Sequence, residues 1–319
     1  MDRPWIPRTA PGIRYIDHLS TEELRRKAAE SSHYDPQALC EINFINDGRP
    51  LDDILGDWID LDLVAASHVV EHVPDLLRWL CDIEKVLRTG GRLLLAAPNK
   101  RYMFDKLRRV TNIEDTLANY LEHRTQPSPL ALLSHFLHFA TNGDQSSWLD
   151  DVEAADLTLL TEPAVAWQWT KDEVASGKYR DVHVSVFTPY SFVKLLKGLT
   201  SLGLLPFELV SVDDLSFEFL AVLITCDAGA DIPARLSRLD EAAAKLDVFI
   251  DDYLSSEFVV REPRIWPIDA AAAQAQRAEV QLLRAALELQ SREIQRMQKS
   301  LSWKLTKPLR HLRSQFSKR

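Results

Sequence analysis

The chain has 319 residues, of which 46% are hydrophobic and 27% are charged, and its formal net charge at pH 7 is −9. These values are typical of a globular protein, and no apolar run approaches the roughly 20 residues that span a bilayer. An acidic body argues against a main domain that binds nucleic acid, because that function needs a basic face. The N-terminus lacks the apolar core of a secretory signal, so we expect a cytoplasmic location.

Cysteine usage argues against two further kinds of site. Cys40, Cys81 and Cys226 are far apart and have no paired spacing. Neither a disulfide framework nor a zinc site is therefore predicted. We expect buried free thiols and no bound metal.

Short β-type runs separated by helical patterns dominate residues 13–226. This alternation predicts a layered α/β domain with a mostly parallel sheet. The predicted strands are residues 12–17, 41–46, 62–67 and 92–98. Helices are predicted between them at residues 20–31, which open with a capping-box spacing, and at residues 74–88, which stop at Gly90-Gly91.

The pattern weakens after the fourth predicted strand. Residues 100–185 are rich in aromatic residues and histidine, and we interpret them as a helical insertion into the domain. A clear helix resumes at residues 187–199, with Thr188-Pro189 as its cap. Two further runs, residues 205–212 and 218–225, are predicted to be an antiparallel pair that closes the sheet.

The C-terminal part of the chain has a different character. We predict a domain at residues 1–226, a helical linker at 227–268 and a coiled coil at 269–303, where apolar residues recur at heptad spacing. Residues 304–319 contain six basic and no acidic side chains. They predict a basic amphipathic tail that can contact an anionic membrane, or a solvated basic end.

Polar residues follow the first two predicted strands, where ligands lie in open α/β sheets. Asp17 follows the first strand, in a position where a carboxylate can bind the two hydroxyls of a ribose or can simply occupy a turn. Asn46 and Asp47 follow the second strand, where their side chains can meet an adenine edge. A plain Asn-Asp-Gly turn is the alternative there.

The most specific segment, residues 60–105, reads DLDLVAASHVVEHVPDLLRWLCDIEKVLRTGGRLLLAAPNKRYMFD. It resembles the class I S-adenosylmethionine-dependent methyltransferases in their fourth strand, the helix after it, a Leu-Arg-x-Gly-Gly turn and the fifth strand. The resemblance implies that Ser67 and His68 lie against the methionine part of the cofactor, S-adenosyl-L-methionine. It also implies that Glu71 and His72 begin the next helix; a histidine satisfied by backbone is the alternative for His72.

A narrower resemblance covers most of residues 1–226, through YIDHLSTEEL, PNKRYMFD, DVHVSVFTPYSF and FEFLAVL. These stretches are similar to a methyltransferase type 11-like bacterial subgroup found with surface-polysaccharide and glycosyltransferase genes. The resemblance implies a Rossmann-like class I methyltransferase sheet and methyl transfer to an oxygen, a sugar hydroxyl of a glycan acceptor. It places Arg101 and Asp105 at the mouth of the site, with His183 entering from the insertion. His183 would then be a general base that a carboxylate orients, and surface or capping polarity is the alternative for each of the three.

One element of the family is missing. Class I methyltransferases bind the cofactor through a Gly-x-Gly loop after their first strand, and no Gly-x-Gly occurs in this chain. The Asp-Arg-Pro-Trp of residues 2–5 resembles what the subgroup has just after that loop. We therefore expect the chain to bind the cofactor weakly or not at all. We also expect either a sheet without its first strand because Met1 is an internal methionine, or a catalytically inactive scaffold that docks on a glycosyltransferase. A nicotinamide-dependent oxidoreductase would need the same loop and would leave residues 60–105 unexplained.

The predicted coiled coil leads to a test of self-association. Residues 280–301 carry Val280, Leu287, Ile294 and Leu301 at one heptad position, which would be an exposed apolar seam in a monomer. Light scattering of the full-length protein should therefore show a homo-oligomer, whereas a protein ending at residue 268 should be monomeric. Monomers in both samples would contradict the coiled coil.

Overall fold

A computed structural model describes residues 12–29, 39–226 and 231–248, all within one unit, Met1–Glu257. These residues form an α/β structure that combines a mixed sheet with helices. The α/β class is as predicted, but the sheet is not mostly parallel, because two of the three pairings in its four-stranded part are antiparallel. The strands are β1 Ile16–Asp17, β2 Phe44–Ile45, β3 Leu61–Ser67, β4 Leu87–Pro98, β5 Ala140–Thr141, β6 Thr158–Leu159, β7 Phe207–Asp214 and β8 Glu218–Thr225. The helices are α1 Thr21–Ala29, α2 Leu51–Leu55, α3 Leu76–Val86, α4 Ile113–Leu121, α5 Pro129–His138, α6 Pro163–Ser176, α7 Pro189–Ser201 and α8 Ile232–Ala243.

The largest sheet among the described residues has the strand order β3-β4-β8-β7. Strands β3 and β4 are parallel, so their carboxyl ends meet at one edge, and β8 is antiparallel to both β4 and β7. The predicted antiparallel pair at the end of the domain is therefore confirmed. Strands β1 and β2 are parallel to each other in a separate two-stranded sheet.

The first two strands are much shorter than the sequence predicted. Each was expected to have six residues, and each has two, Ile16–Asp17 and Phe44–Ile45. Both Ile16 and Ile45 are about half exposed, at 41% and 50%. The apolar runs are thus present, but only two residue pairs find a ladder partner.

Strand β4 begins earlier than predicted because the Gly90-Gly91 pair lies inside it. The strand runs from Leu87 to Pro98, and its register with β3 shifts between Leu61 and Leu63. At Gly90 the backbone φ is +73°, a conformation that favours glycine. The glycine pair therefore forms an irregularity within an extended segment instead of a turn before the strand.

The main core lies between the four-stranded sheet and helices α3, α7 and α8. It contains these fully buried side chains: Leu80, Leu93, Leu95, Phe192, Leu196, Leu199, Phe207, Phe219 and Leu223. Helix α7 starts at a capping box between Thr188 and Ser191, and α1 follows a reciprocal Ser20–Glu23 pair, as predicted.

Helix α8 lies within residues 227–268, the predicted linker, and packs on the domain core. Its Leu239 is 2% exposed. The buried Arg235 donates hydrogen bonds to the carbonyl oxygens of Leu205 and Phe207, at 2.8 and 2.6 Å.

Some predictions concern residues that the structure does not describe. The coiled coil at 269–303 and the basic tail at 304–319 lie outside the described residues, so self-association and membrane contact stay predictions. In the described ranges, no helix combines the length and the apolar character needed to cross a membrane. The three cysteines are free, as expected, but half-buried.

Replacing Gly91 by alanine should destabilise the protein by about 1–3 kcal/mol. The added Cβ would lie 2.8 Å from Arg88 O and 2.9 Å from Leu61 O, and both are backbone atoms. The matched change Gly198→Ala places a Cβ 2.7 Å from the Cδ1 of Ile113, the end of a flexible side chain, and gains helix propensity. Urea unfolding should show the larger loss for Gly91→Ala, and equal losses would contradict this account.

Candidate functional site

The site begins where β3 ends. After Ser67 the chain turns at His68, whose φ is +52° and whose N–H donates to Ala96 O at 2.9 Å. A non-glycine residue in the left-handed region is uncommon and often marks a functional turn. Glu71 and His72 lie in this turn, before α3 begins at Leu76. Their expected place at the start of the helix is therefore wrong, because Asp75 caps that helix by accepting from Arg78 N.

The turn is bonded to the segment that carries His183. The carbonyl oxygen of Glu71 accepts hydrogen bonds from Val184 N at 2.7 Å and Ser185 N at 3.0 Å. The rings of His72 and His183 meet edge to face, with centroids 4.7 Å apart. Two predicted site residues from distant parts of the chain are thus in contact.

Each of these histidines is paired with a carboxylate through Nδ1. His183 Nδ1 makes a short hydrogen bond with Asp105 Oδ2, and both residues are buried. His72 Nδ1 lies 2.8 Å from Asp181 Oδ1. The predicted pair of His183 with Asp105 is therefore present, and a second, similar pair stands beside it.

Asp105 is held as a buried anion. Burial alone would raise its pKa, but the charges and hydrogen bonds of His183 and Arg108 bring the pKa of Asp105 well below its ordinary value. Arg108 Nη1 donates to Asp105 Oδ1 at 2.7 Å. The other oxygen of Asp105 is thereby reserved for His183.

The pKa values of Asp181, His72 and His68 are also shifted by neighbouring charges. Contact with His72 lowers the pKa of Asp181 to about 2. Burial opposes protonation of His72, but Asp181 and Glu71 outweigh it and raise the pKa of that imidazole. Glu71 likewise raises the pKa of His68, which lies 2.9 Å from Glu218 Oε2 through Nε2.

Glu71 is a buried carboxylate beside the imidazoles of His68 and His72. It is 1% exposed, and neither carboxylate oxygen has a hydrogen-bond partner. The nearest cationic atoms are Nδ1 of His68 at 3.5 Å and Nε2 of His72 at 3.8 Å. Leaving a buried carboxylate in this state is costly.

The predicted cofactor residues of the first sheet make hydrogen bonds and ion pairs within the protein. Asp17 Oδ1 accepts from Leu19 N at 3.0 Å, and its carbonyl oxygen accepts from Asn46 N at 2.8 Å. The side chain of Asn46 accepts from Gly48 N, and Asp47 pairs with Arg49 at 2.9 Å. The turn alternative therefore describes Asn46 and Asp47. Asp17 also bonds within its own turn before α1, although it stands at the carboxyl end of β1.

Arg101 belongs to another ion pair. Its Nη2 lies 2.5 Å from Asp151 Oδ2, and Lys106 contacts the other oxygen of the same carboxylate. The structure thus pairs the predicted catalytic arginine with Asp151 of the insertion.

Three partners of the site were not predicted from the sequence. Asp181 had a usable signal, since it stands two residues before His183 and alternate residues of an extended segment share a side. Arg108 follows Asp105 by three residues. Glu218 is 150 residues from His68 and had no local signal.

The comparisons add no family. No protein-family model matches this chain, and no curated protein matches it either.

His135 offers a test of the electrostatics behind the site. Its ring lies edge to face with Phe104 and Phe139, at 5.7 and 5.5 Å, and its buried Nδ1 has no hydrogen-bond partner. Burial and the charge of Arg108 lower the pKa of His135 to about 3.

Because the unfolded chain protonates His135 near its ordinary pKa of 6.5, stability should fall as the pH drops from 6.5 toward 3. Between pH 7.5 and pH 5 this residue should account for about 2 kcal/mol of lost stability. Urea unfolding at both pH values should show a smaller loss for His135→Gln than for wild type. The surface change His123→Gln is the control, and identical pH dependence in wild type and His135→Gln would refute the expectation.

Proposed function

We propose that the protein transfers a methyl group from S-adenosyl-L-methionine to a hydroxyl oxygen. The acceptor in this proposal is a sugar hydroxyl in surface-polysaccharide biosynthesis, as the sequence resemblance implies. The observation that carries the proposal is the buried pair of His183 and Asp105, which lies beyond the carboxyl ends of β3 and β4. That edge is where ligands bind in open α/β sheets.

The strand arrangement supports the same proposal. We interpret β1-β2 and β3-β4-β8-β7 as two parts of a Rossmann-like class I methyltransferase sheet whose first strand is not among the described residues. Two parallel strands followed by an antiparallel closing pair agree with the expectation from residues 60–105 and 205–225.

The proposed chemistry follows from the tautomer of His183. Since Nδ1 bonds to the Asp105 carboxylate, the proton of a neutral imidazole is on Nδ1 and the lone pair is on Nε2. Nε2 accepts the proton of the acceptor hydroxyl as its oxygen attacks, and Asp105 stabilises the resulting imidazolium. Phe104, whose ring centroid is 4.7 Å from that of His183, helps to exclude water.

The residues present fit the methyl donor in part. When bound, S-adenosyl-L-methionine supplies a methyl group on a positively charged sulfur. Asp17 fits the ribose hydroxyls by its place at the end of β1, but one of its carboxylate oxygens accepts from Leu19 N. The turn after Ser67 fits the methionine part. Asn46 and Asp47 do not fit the adenine, because their polar groups are used inside their own turn.

A second function is favoured by one specific observation, the absence of Gly-x-Gly from the 319 residues. A catalytically inactive methyltransferase-fold scaffold that docks on a glycosyltransferase would not need that loop. The two functions differ in whether the chain binds the methyl donor at all.

Calorimetry with S-adenosyl-L-methionine and the full chain separates them. We expect weak but measurable binding that becomes about tenfold weaker in Asp17→Ala, an effect equal to about 1.4 kcal/mol. Asp47→Ala, an exposed carboxylate in the neighbouring turn, should bind like wild type. Absence of heat with wild type would favour the scaffold.

Transfer of labelled methyl to a panel of glycan acceptors tests the base. His183→Ala should slow the reaction by about 10²–10⁴-fold, the range typical of general base catalysis. Thermal melting of the variant controls for folding. A folded His183→Ala protein with the rate of wild type would exclude His183 as the base.

A further inference from the structure

Three side chains of the site carry atoms that can bind a metal ion. Glu71, His72 and His183 each offer one ligand atom, and these atoms all lie within 4.8 Å of one another. Glu71 and His72 come from the turn after β3, and His183 comes from the far end of the insertion. The cluster is therefore created by the tertiary fold and has none of the short spacings by which metal sites are found in sequences.

The state of Glu71 is the independent observation that points to a ligand. The Glu71 carboxylate is 1% exposed, and neither of its oxygens accepts a hydrogen bond. No donor group therefore replaces the water molecules that bind an exposed carboxylate. Nε2 of His72, at 3.8 Å from Oε1, is too distant to hydrogen-bond. A cation between these atoms would supply what the carboxylate lacks.

Both histidines are oriented as metal ligands usually are. Asp105 binds Nδ1 of His183, and Asp181 lies 2.8 Å from Nδ1 of His72. Asp105 fixes the ring of His183 by a hydrogen bond, whereas Asp181 is within ion-pair distance of His72 but outside hydrogen-bond geometry. Nε2 is the donor atom that remains on each ring. Carboxylate–histidine–metal arrangements of this kind raise the basicity of the imidazole and are a regular feature of zinc sites.

We propose that Glu71, His72 and His183 bind a divalent transition-metal ion, and that Zn²⁺ is the ion that fits best. Two imidazole nitrogens and one carboxylate oxygen form the donor set of zinc sites that keep a fourth position open. Mg²⁺ and Ca²⁺ prefer oxygen ligands throughout, so a site with two imidazoles selects against them.

The distances require only a small closure. Zinc bonds of about 2.0–2.2 Å in a tetrahedron place ligand atoms roughly 3.3–3.6 Å apart. Glu71 Oε1 and His72 Nε2 are already 3.8 Å apart. The widest separation in the cluster is at most 4.8 Å, so movement of one side chain by about 1–1.5 Å completes the geometry.

The proposed ion and the proposed methyl transfer would both use the lone pair on Nε2 of His183. Nε2 of His183 can bind a metal ion or accept a proton from the acceptor hydroxyl, but not both at once. A bound Zn²⁺ ion should therefore block the base, and this clause alone rests on the proposed methyl transfer. Metal binding itself is measured without donor or acceptor, so the two proposals can fail separately.

Calorimetric titration of Zn²⁺ into the chelator-treated full chain tests the site. We expect one ion to bind with a dissociation constant below about 1 µM, at least tenfold tighter than in Glu71→Gln or in His72→Ala. His123→Ala, which removes a surface histidine, is the matched control and should keep the affinity of wild type.

Thermal melting shows whether each variant is folded and whether Zn²⁺ stabilises it. Saturating Zn²⁺ should raise the melting temperature of wild type by several degrees and leave that of Glu71→Gln unchanged. Without metal, Glu71→Gln should still melt cooperatively, because the amide keeps the shape and volume of the carboxylate. The proposal is overturned if wild type does not bind Zn²⁺, or if folded Glu71→Gln binds it as tightly as wild type does.

Discussion

Asp105 is a fully buried carboxylate between the guanidinium group of Arg108 and the imidazole of His183, and the architecture around the site depends on this contact. Arg108 reaches α5 through Ser134 Oγ at 3.2 Å, and His183 brings in the end of the insertion. Removing one partner from such a buried arrangement typically costs about 3–5 kcal/mol, because the remaining charge stays buried without compensation. The same contact that joins the insertion to the sheet also sets the tautomer of His183.

The chain beyond β4 is fixed by backbone hydrogen bonds to two other parts of the protein. Asn99 N donates to Phe217 O at 2.9 Å, Lys100 N donates to Phe187 O at 2.8 Å, and Thr111 N donates to Val186 O at 2.9 Å. Because these bonds are made on both sides of Asp105, they hold its backbone in place, and the contacts with Arg108 and His183 then position its carboxylate. The irregular segment that carries the site is thus bonded to the turn between β7 and β8 and to the chain just before α7.

Two features of the site are energetically unfavourable by themselves. His68 adopts a left-handed backbone conformation, and the Glu71 carboxylate is buried without a hydrogen bond. The surrounding structure maintains both, since the turn is tied to Ala96 on one side and to Val184 on the other. Unfavourable groups concentrated at one strand end are characteristic of functional sites. The proton acceptor and the metal site that we propose both use this concentration.

Periodicity and capping let the sequence alone predict the elements whose formation is local. The apolar stripe of α3, the Ser20–Glu23 capping pair and the antiparallel β7–β8 pair are all present, because each depends on residues close together in the chain. The lengths of β1, β2 and β4 were not predictable in this way, since a strand extends only as far as a neighbour pairs with it.

The site likewise combines residues that the sequence predicted with contacts that only the tertiary structure shows. The sequence singled out Glu71, His72, Asp105 and His183, and Asp181 could have been added from its alternation with His183. Only the tertiary structure decided that His183 bonds Asp105 across 78 residues, and that His68 meets Glu218 across 150. It also decided that Asn46 and Asp47 use their side chains within their own turn. Contacts between distant residues depend on how the elements pack, and periodicity along the chain carries no information about which strand ends and loops come to lie side by side.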